Sequence, residues 1–144
     1  MRKIGANFPP AGRFLASALV VILLIGCDSD RQAVEGTVTL DGQPLAEGYV
    51  RLRPQSGTSS PGAGASVENG KFRIAPEGGI FAGKFLVEIT AMRPSGRMLA
   101  NPESGSRYAE KVQILPPRYN KATELSVDIV EGESNHCDFK LTSK

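Results

Sequence analysis

Residues 34–54 read VEGTVTLDGQPLAEGYVRLRP, and the alternation within them decides the fold class. Val34, Gly36, Val38 and Leu40 alternate with Glu35, Thr37 and Thr39. A period of two with β-branched residues describes a strand with one face in a core and the other in solvent. Asp41-Gly42 supplies a turn, and Pro44 is expected to block ladder pairing just beyond it. From Tyr49 to Arg53 the period returns, with Val50 and Leu52 on one face and Arg51 and Arg53 on the other, until Pro54 ends the strand.

The same pattern continues outward from this stretch. Residues 55–64 (QSGTSSPGAG) have the composition of a flexible loop. Asn69-Gly70, set between Ala65/Val67 and Phe72/Ile74, is a hairpin signal because both turn residues tolerate positive φ. Pro76-Glu77-Gly78-Gly79 is another turn, and residues 84–92 form the longest strand candidate, with Phe85, Val87, Ile89 and Ala91 on one face. Residues 93–111 are rich in Pro, Gly, Ser and Asn and read as a long break; breaks beyond ~12–15 residues are uncommon unless functional. Residues 112–115 make a short strand stopped by Pro116-Pro117. Leu125, Val127 and Ile129 alternate once more, as do Cys137, Phe139 and Leu141. No sustained 3.6-residue apolar period occurs after residue 27. The expectation is an all-β fold, an antiparallel sandwich of approximately seven strands. Its core would hold Val34, Val38, Leu40, Val50, Leu52, Val67, Phe72, Ile74, Phe85, Val87, Ile89, Leu125, Val127, Ile129, Phe139 and Leu141.

Composition agrees with many turns: the 144 residues include 16 Gly and 10 Pro. The net charge of +2 and the absence of a Lys/Arg cluster argue against a nucleic-acid partner. Two Cys and a single His exclude a disulfide-dense scaffold and the usual zinc ligand sets, so no metal or other cofactor is expected.

The N-terminus reads as an address. Arg2, Lys3 and Arg13 form a basic head without acid, and residues 14–25 (FLASALVVILLI) carry no charge over 12 positions. That run is well short of the ~20 residues a membrane-spanning helix needs, and basic head plus short apolar run describes a secretory signal peptide. The run closes on Leu24-Ile25-Gly26-Cys27, which resembles the lipobox of bacterial lipoproteins. The resemblance implies a diacylglycerol on the Cys27 thiol, cleavage before it and often acylation of the new amine. Two or three acyl chains anchor a protein stably where one does not. The expected organisation is a lipoprotein signal peptide at 1–26, a lipidated tether at 27–32 and a β-sandwich domain at 33–144. Removal of 26 residues leaves 118, and the loss of three basic groups leaves 14 basic against 15 acidic. The partner implied is the membrane, through lipid on Cys27, with the domain extracytoplasmic, at the periplasmic face or cell surface. Asp28 after the cysteine is a hint of inner-membrane retention.

A second resemblance covers the domain. Gly36-x-Val38, Gly42-x-Pro44-Leu45-x-x-Gly48-x-Val50, then ENGKFRI (68–74) and GKFLVEITA (83–91) resemble the carboxypeptidase regulatory-like and transthyretin-like domains. The closing LPPRYNKATELSVDIVEGESNHCDFKL (115–141) looks like the end of small planctomycete lipoproteins. These likenesses imply a prealbumin-like or Ig-like sandwich. They carry one enzymatic precedent, hydrolysis of 5-hydroxyisourate, which relies on several histidines, an arginine and a C-terminal Tyr-Arg-Gly-Ser type motif. This chain has His136 alone and ends Leu141-Thr142-Ser143-Lys144.

Candidate chemistry is correspondingly sparse. His136 and Cys137 are adjacent, but neighbours on a strand face opposite ways, so a nucleophile pair is not expected. Asp28, Asp30, Asp41, Glu131 and Glu133 match no calcium-loop spacing. Arg51 and Arg53 form either a solvated face or an anion or polysaccharide contact. Arg107, Tyr108, Arg118 and Tyr119 flank the 112–115 strand and either shape a surface or pack a corner. No catalytic residue is assigned. The function expected is a membrane-anchored, non-catalytic binding or structural module of the cell envelope, binding a protein or envelope polysaccharide through 55–64 and 93–111. The alternatives are a transthyretin-like hydrolase and an accessory subunit of an envelope secretion or transport machine.

Overall fold

Ten strands and two 3-10 turns account for most of residues 30–144, the part of the chain that the computed structural model describes. The strands are β1 (Val34–Leu40), β2 (Gln43–Pro44), β3 (Glu47–Pro54), β4 (Ala63–Glu68), β5 (Lys71–Ile74), β6 (Gly83–Thr90), β7 (Met92–Ala100), β8 (Arg107–Gln113), β9 (Ser126–Ile129) and β10 (Asn135–Leu141). The 3-10 turns are Pro76–Gly78 and Pro117–Tyr119. The expected signal peptide, with Leu24, Ile25, Gly26 and Cys27, and Asp28 after it, lie outside the described residues.

The two Asx-Gly turns form where the sequence places them. Asp41 and Gly42 have φ of 51° and 80°, and Asn69 and Gly70 have 49° and 76°. Positive φ at both central residues matches the twist of the flanking strands. Pro44 does not end pairing: it stands opposite Thr39 in the short β1–β2 ladder, where its missing N–H is tolerated at an edge.

The main sheet runs β10-β1-β5-β4-β3-β6-β9, with β2 on β1. β4 and β5 share one registered pair, Glu68 opposite Lys71, beside the Asn69-Gly70 turn. There the sheet splits into two halves, β10-β1-β5 and β4-β3-β6-β9, which close over one core to make an all-β sandwich-like fold. All ladders are antiparallel except β1–β10, which is parallel over seven registered pairs from Val34↔Asn135 to Leu40↔Leu141. Gly36 is required in that ladder, because a β-carbon there would strike the backbone carbonyl of Cys137.

Most of the expected core is buried. Val34, Val38, Val50, Phe85, Val87 and Ile89 are all fully inaccessible, and each such aliphatic or aromatic side chain contributes roughly 1.5–3 kcal/mol through burial. Phe72 and Phe139 stack at a centroid distance of 6.0 Å. Leu40, Leu125 and Val127 are only partly buried, at the margins of the core. Ala91 is buried on the face that it shares with Phe85, Val87 and Ile89, and Leu45, Ile80, Leu115 and Tyr119 join the core without having been expected there by alternation. Most of them sit singly beside turns rather than in an alternating run.

The registers define two poles. One holds the starts of β1, β6 and β10. There Gln32 pairs with Ile80, Gln32 Oε1 accepts from the Gly132 N–H at 3.1 Å, and Arg31 donates to the Gly79 carbonyl at 2.9 Å. The domain end of the expected tether is therefore pinned to the body. The other pole holds the Asp41-Gly42 and Asn69-Gly70 turns, the end of β6 and the C-terminal residues. It also carries the β7–β8 hairpin.

Candidate functional site

The region expected to be an irregular loop, 93–111, is a correction: it lies within a two-stranded antiparallel hairpin separate from the main sheet. The turn occupies 101–106, where Asn101 Oδ1 accepts from the Glu103 and Ser104 N–H groups. The base is fixed through Ala91 and Gln113. Gln113 Oε1 accepts from the Ala91 and Leu115 N–H groups at 3.0 and 3.1 Å, and the Ile114 N–H donates to the Ala91 carbonyl at 3.0 Å. Beyond the base, β7 and β8 contact each other and share no substantial contact with any other described element. The ladder from Gln113 to Arg107 of β8, at about 3.3 Å per residue, carries the arm roughly 20 Å from the body.

Registered pairs share a face. Between Pro94 and Met98, β7 carries two more residues than β8 does between Lys111 and Ala109, a bulge that restores the phase. One face therefore carries Met92, Pro94, Met98, Ala100 and Ala109, with Arg107 and Lys111 and no acid. The opposite face carries Arg93, Leu99, Tyr108, Glu110 and Val112. There Ser95 Oγ donates to Glu110 at 2.6 Å and Arg97 lies 3.7 Å from the same carboxylate. Met98 and Tyr108 are each 51% exposed, and Met92 49%. Apolar side chains thus stand in water along both faces, while Arg107 and Lys111 have no ion-pair partner among the described residues. An element that leaves several large apolar side chains in water is a candidate interaction surface.

The other expected binding segment lies at the opposite pole. β4 begins at Ala63, so the loop is 55–62, and it is held rather than free. Thr58 Oγ1 exchanges hydrogen bonds with the Lys84 backbone, and Ser60 Oγ accepts from the Phe81 N–H at 2.9 Å. The structure does not bring it together with 93–111.

His136 and Cys137 diverge across β10, with His136 exposed and Cys137 half-buried against the core. Burial, then the nearby Asp138 charge, pushes the Cys137 thiol pKa up, away from the thiolate a nucleophile needs. His136 Nε2 lies 3.2 Å from Asp138 Oδ1, which also accepts from Thr37 Oγ1 at 2.5 Å. The Thr37 hydrogen bond is the main cause of the lowered Asp138 pKa. A cleft of about 540 Å³ adjoins this charged face, lined in part by Glu35, Arg73 and His136. The Glu35 carboxylate and the Arg73 guanidinium are engaged with each other at 3.0 Å.

Asp30, Glu131 and Glu133 lie at the N-terminal pole and Asp41 at the other, where it accepts from the Ser143 N–H at 3.0 Å. Among the described residues no group of three His, Cys, Asp or Glu is placed to hold a metal ion. Tyr119 is buried and accepts from the Thr142 N–H at 3.1 Å, while Arg118 stacks on its ring and donates to Thr142 and Lys144. These two pack the C-terminus, whereas Arg107 and Tyr108 belong to the hairpin. No described helix is long and apolar enough to cross a membrane.

No family model, curated protein or solved structure matches the chain.

Proposed function

We propose that the chain is a lipid-anchored extracytoplasmic lipoprotein, a non-catalytic module that binds a protein partner through the β7–β8 hairpin. The observation that supports this reading best is the hairpin itself: a two-stranded arm with exposed Met92, Met98 and Tyr108, and with Arg107 and Lys111 that have no ion-pair partner among the described residues. A partner that matches it offers an apolar groove fringed with carboxylates, which buries the methionines and neutralises the two cations. Methionine suits such a contact, since its flexible, polarizable side chain adapts to the opposing surface.

The poles give the reading its geometry. An anchor at Cys27 enters the domain beside Gln32, and the hairpin leaves from the far end. The body then acts as a spacer that holds the arm away from the bilayer. A non-catalytic role is consistent with a half-buried Cys137 facing away from His136.

Two experiments test the proposal. Intact-mass analysis of the membrane-extracted protein should show an N-terminal acylated Cys27, and Cys27→Ser should accumulate unprocessed precursor; an unmodified wild-type N-terminus overturns the anchor. Cross-linking and mass spectrometry on detergent-solubilised membranes should recover one partner cross-linked to the hairpin. Met98→Asp or Arg107→Glu should abolish that recovery, and unchanged recovery with both variants overturns the docking role.

A further inference from the structure

The outward column of β3 reads Glu47, Tyr49, Arg51, Arg53, and registers with Glu68, Ser66 and Gly64 of β4 on one side. On the other side stand Thr90, Glu88 and Leu86 of β6. A β-carbon at Gly64 would lie 2.6 Å from Tyr49 Oη, 2.7 Å from Cε1 and 2.8 Å from Cζ. The ring therefore lies down on the backbone of β4 at Gly64, and a β-carbon there would push it off its seat. Yet Tyr49 remains 45% exposed, which leaves part of the aromatic surface open to solvent. Beside it is a hollow of about 460 Å³ lined by Tyr49, Arg51, Gly62, Ala63 and Gly64.

The charges along this column are ordered. Arg53 is committed to Glu88 at 3.2 Å. Arg51, between Arg53 and Tyr49, has neither an ion pair nor a hydrogen bond to its guanidinium among the described residues. Two residues along a strand separate Tyr49 and Arg51 by about 7 Å, which is the scale of one sugar ring with an exocyclic group. Beyond Tyr49 in the other direction, Glu47 and Glu68 stand opposite each other and repel an anion.

We infer that Tyr49, Arg51 and the Gly62–Gly64 hollow form a subsite for a carboxylate-bearing pyranose of an acidic polysaccharide. The apolar C–H face of the sugar packs on the open face of the Tyr49 ring, and the phenol supplies a polar handle to a hydroxyl. The sugar carboxylate takes the fork of Arg51, a geometry that guanidinium matches with two parallel hydrogen bonds. The Glu47/Glu68 pair sets the direction, with the carboxylate toward the N-terminal pole. Gly62 and Gly64 keep the wall low enough for a polymer to run across the sheet. This site is distinct from the hairpin, so the two succeed or fail separately.

Affinity electrophoresis of the full-length chain in detergent, through gels containing polygalacturonate, neutral galactan or dextran sulfate, tests the inference. Polygalacturonate alone should retard the wild type. Tyr49→Ala and Arg51→Gln should each weaken that retardation by about tenfold or more, the scale of one well-placed aromatic or charged contact. Gly64→Ala, which keeps both side chains but fills the space under the ring, should weaken it as well, with an unchanged circular dichroism spectrum. Shortening the hairpin should leave it intact. Retardation by dextran sulfate that is indifferent to Tyr49→Ala would reduce the site to charge alone and overturn the assignment. So would retardation by galactan that is indifferent to Arg51→Gln, or no retardation by polygalacturonate.

Discussion

The main sheet and the β7–β8 hairpin are both antiparallel β-structure, and they solve opposite problems. Strands β1, β3, β5, β6 and β10 each turn one set of alternating side chains into the core, so hydrophobic burial holds them. The hairpin has no buried face; only Leu99 and Glu110 in its strands escape full exposure. A lone two-stranded ribbon is marginally stable in water at best. Its apolar residues therefore contribute little to the fold and remain available for contact. The difference separates a region held by its own core from one suited to being held by something else.

The comparison is sharpest where the sheet is cut deepest. Phe85→Ala removes a ring with no accessible surface and should cost about 3–5 kcal/mol, read from chemical unfolding. A loss near zero would mean the core is not organised around β6. Asn135→Ala should cost about 1–3 kcal/mol, because the amide serves the Val130 N–H and the Val130 and Glu133 carbonyls, which would be left without those partners. The same measurement checks it.

Acid should also act on the body. Asp138 and Asp41 both have folded-state pKa values held below the ordinary carboxylate range, by the Thr37 hydroxyl and by the Ser143 backbone N–H respectively. A depressed carboxylate contributes stability that is fully present above the unfolded pKa of about 3.9. It is lost as pH falls through the lower folded value. Thermal melts from pH 5 to pH 2 should show this acid limb, and Thr37→Val should flatten part of it; an unchanged limb would remove the Asp138 contact from the account. The smallest change belongs to the hairpin. Replacing 93–112 with a short turn, which keeps Gln113 and its hydrogen bonds at the base, should move the melting temperature by only about 2 °C, as surface changes away from the core usually do. A large drop would show that the arm packs on the body.

What the sequence revealed follows the same division. Strands with one wet and one dry face announce themselves, and Val34–Leu40, the Tyr49–Arg53 run and the Phe85–Ile89 run all lie in strands of the body. β7 and β8 were illegible because nothing buries them: with Met98, Leu99 and Pro94 in one strand, no alternation marks an inside. Their pairing across the 101–106 turn carries the information instead. The parallel neighbourhood of β1 and β10 was equally hidden, since it joins residues 101 positions apart, such as Val34 and Asn135. Among binding candidates, Arg51 was visible as an outward cation. Its relation to Tyr49 was not, because the glycine that seats the ring comes from another strand through register alone.

The β1–β10 ladder has a mechanical consequence. Its strands run parallel, with the start of β1 at the N-terminal pole and the end of β10 at the far pole. Tension applied between the two chain ends therefore travels along the strand axes. It loads the rungs side by side, in shear, instead of opening them one after another like a zipper. Rupture then requires many hydrogen bonds to fail together, so the domain should resist stretching between its ends far better than a hairpin peeled from its tip. Force spectroscopy with handles at Arg31 and Lys144 should find a high unfolding force, and Gly36→Val, which wedges the two strands apart, should lower it.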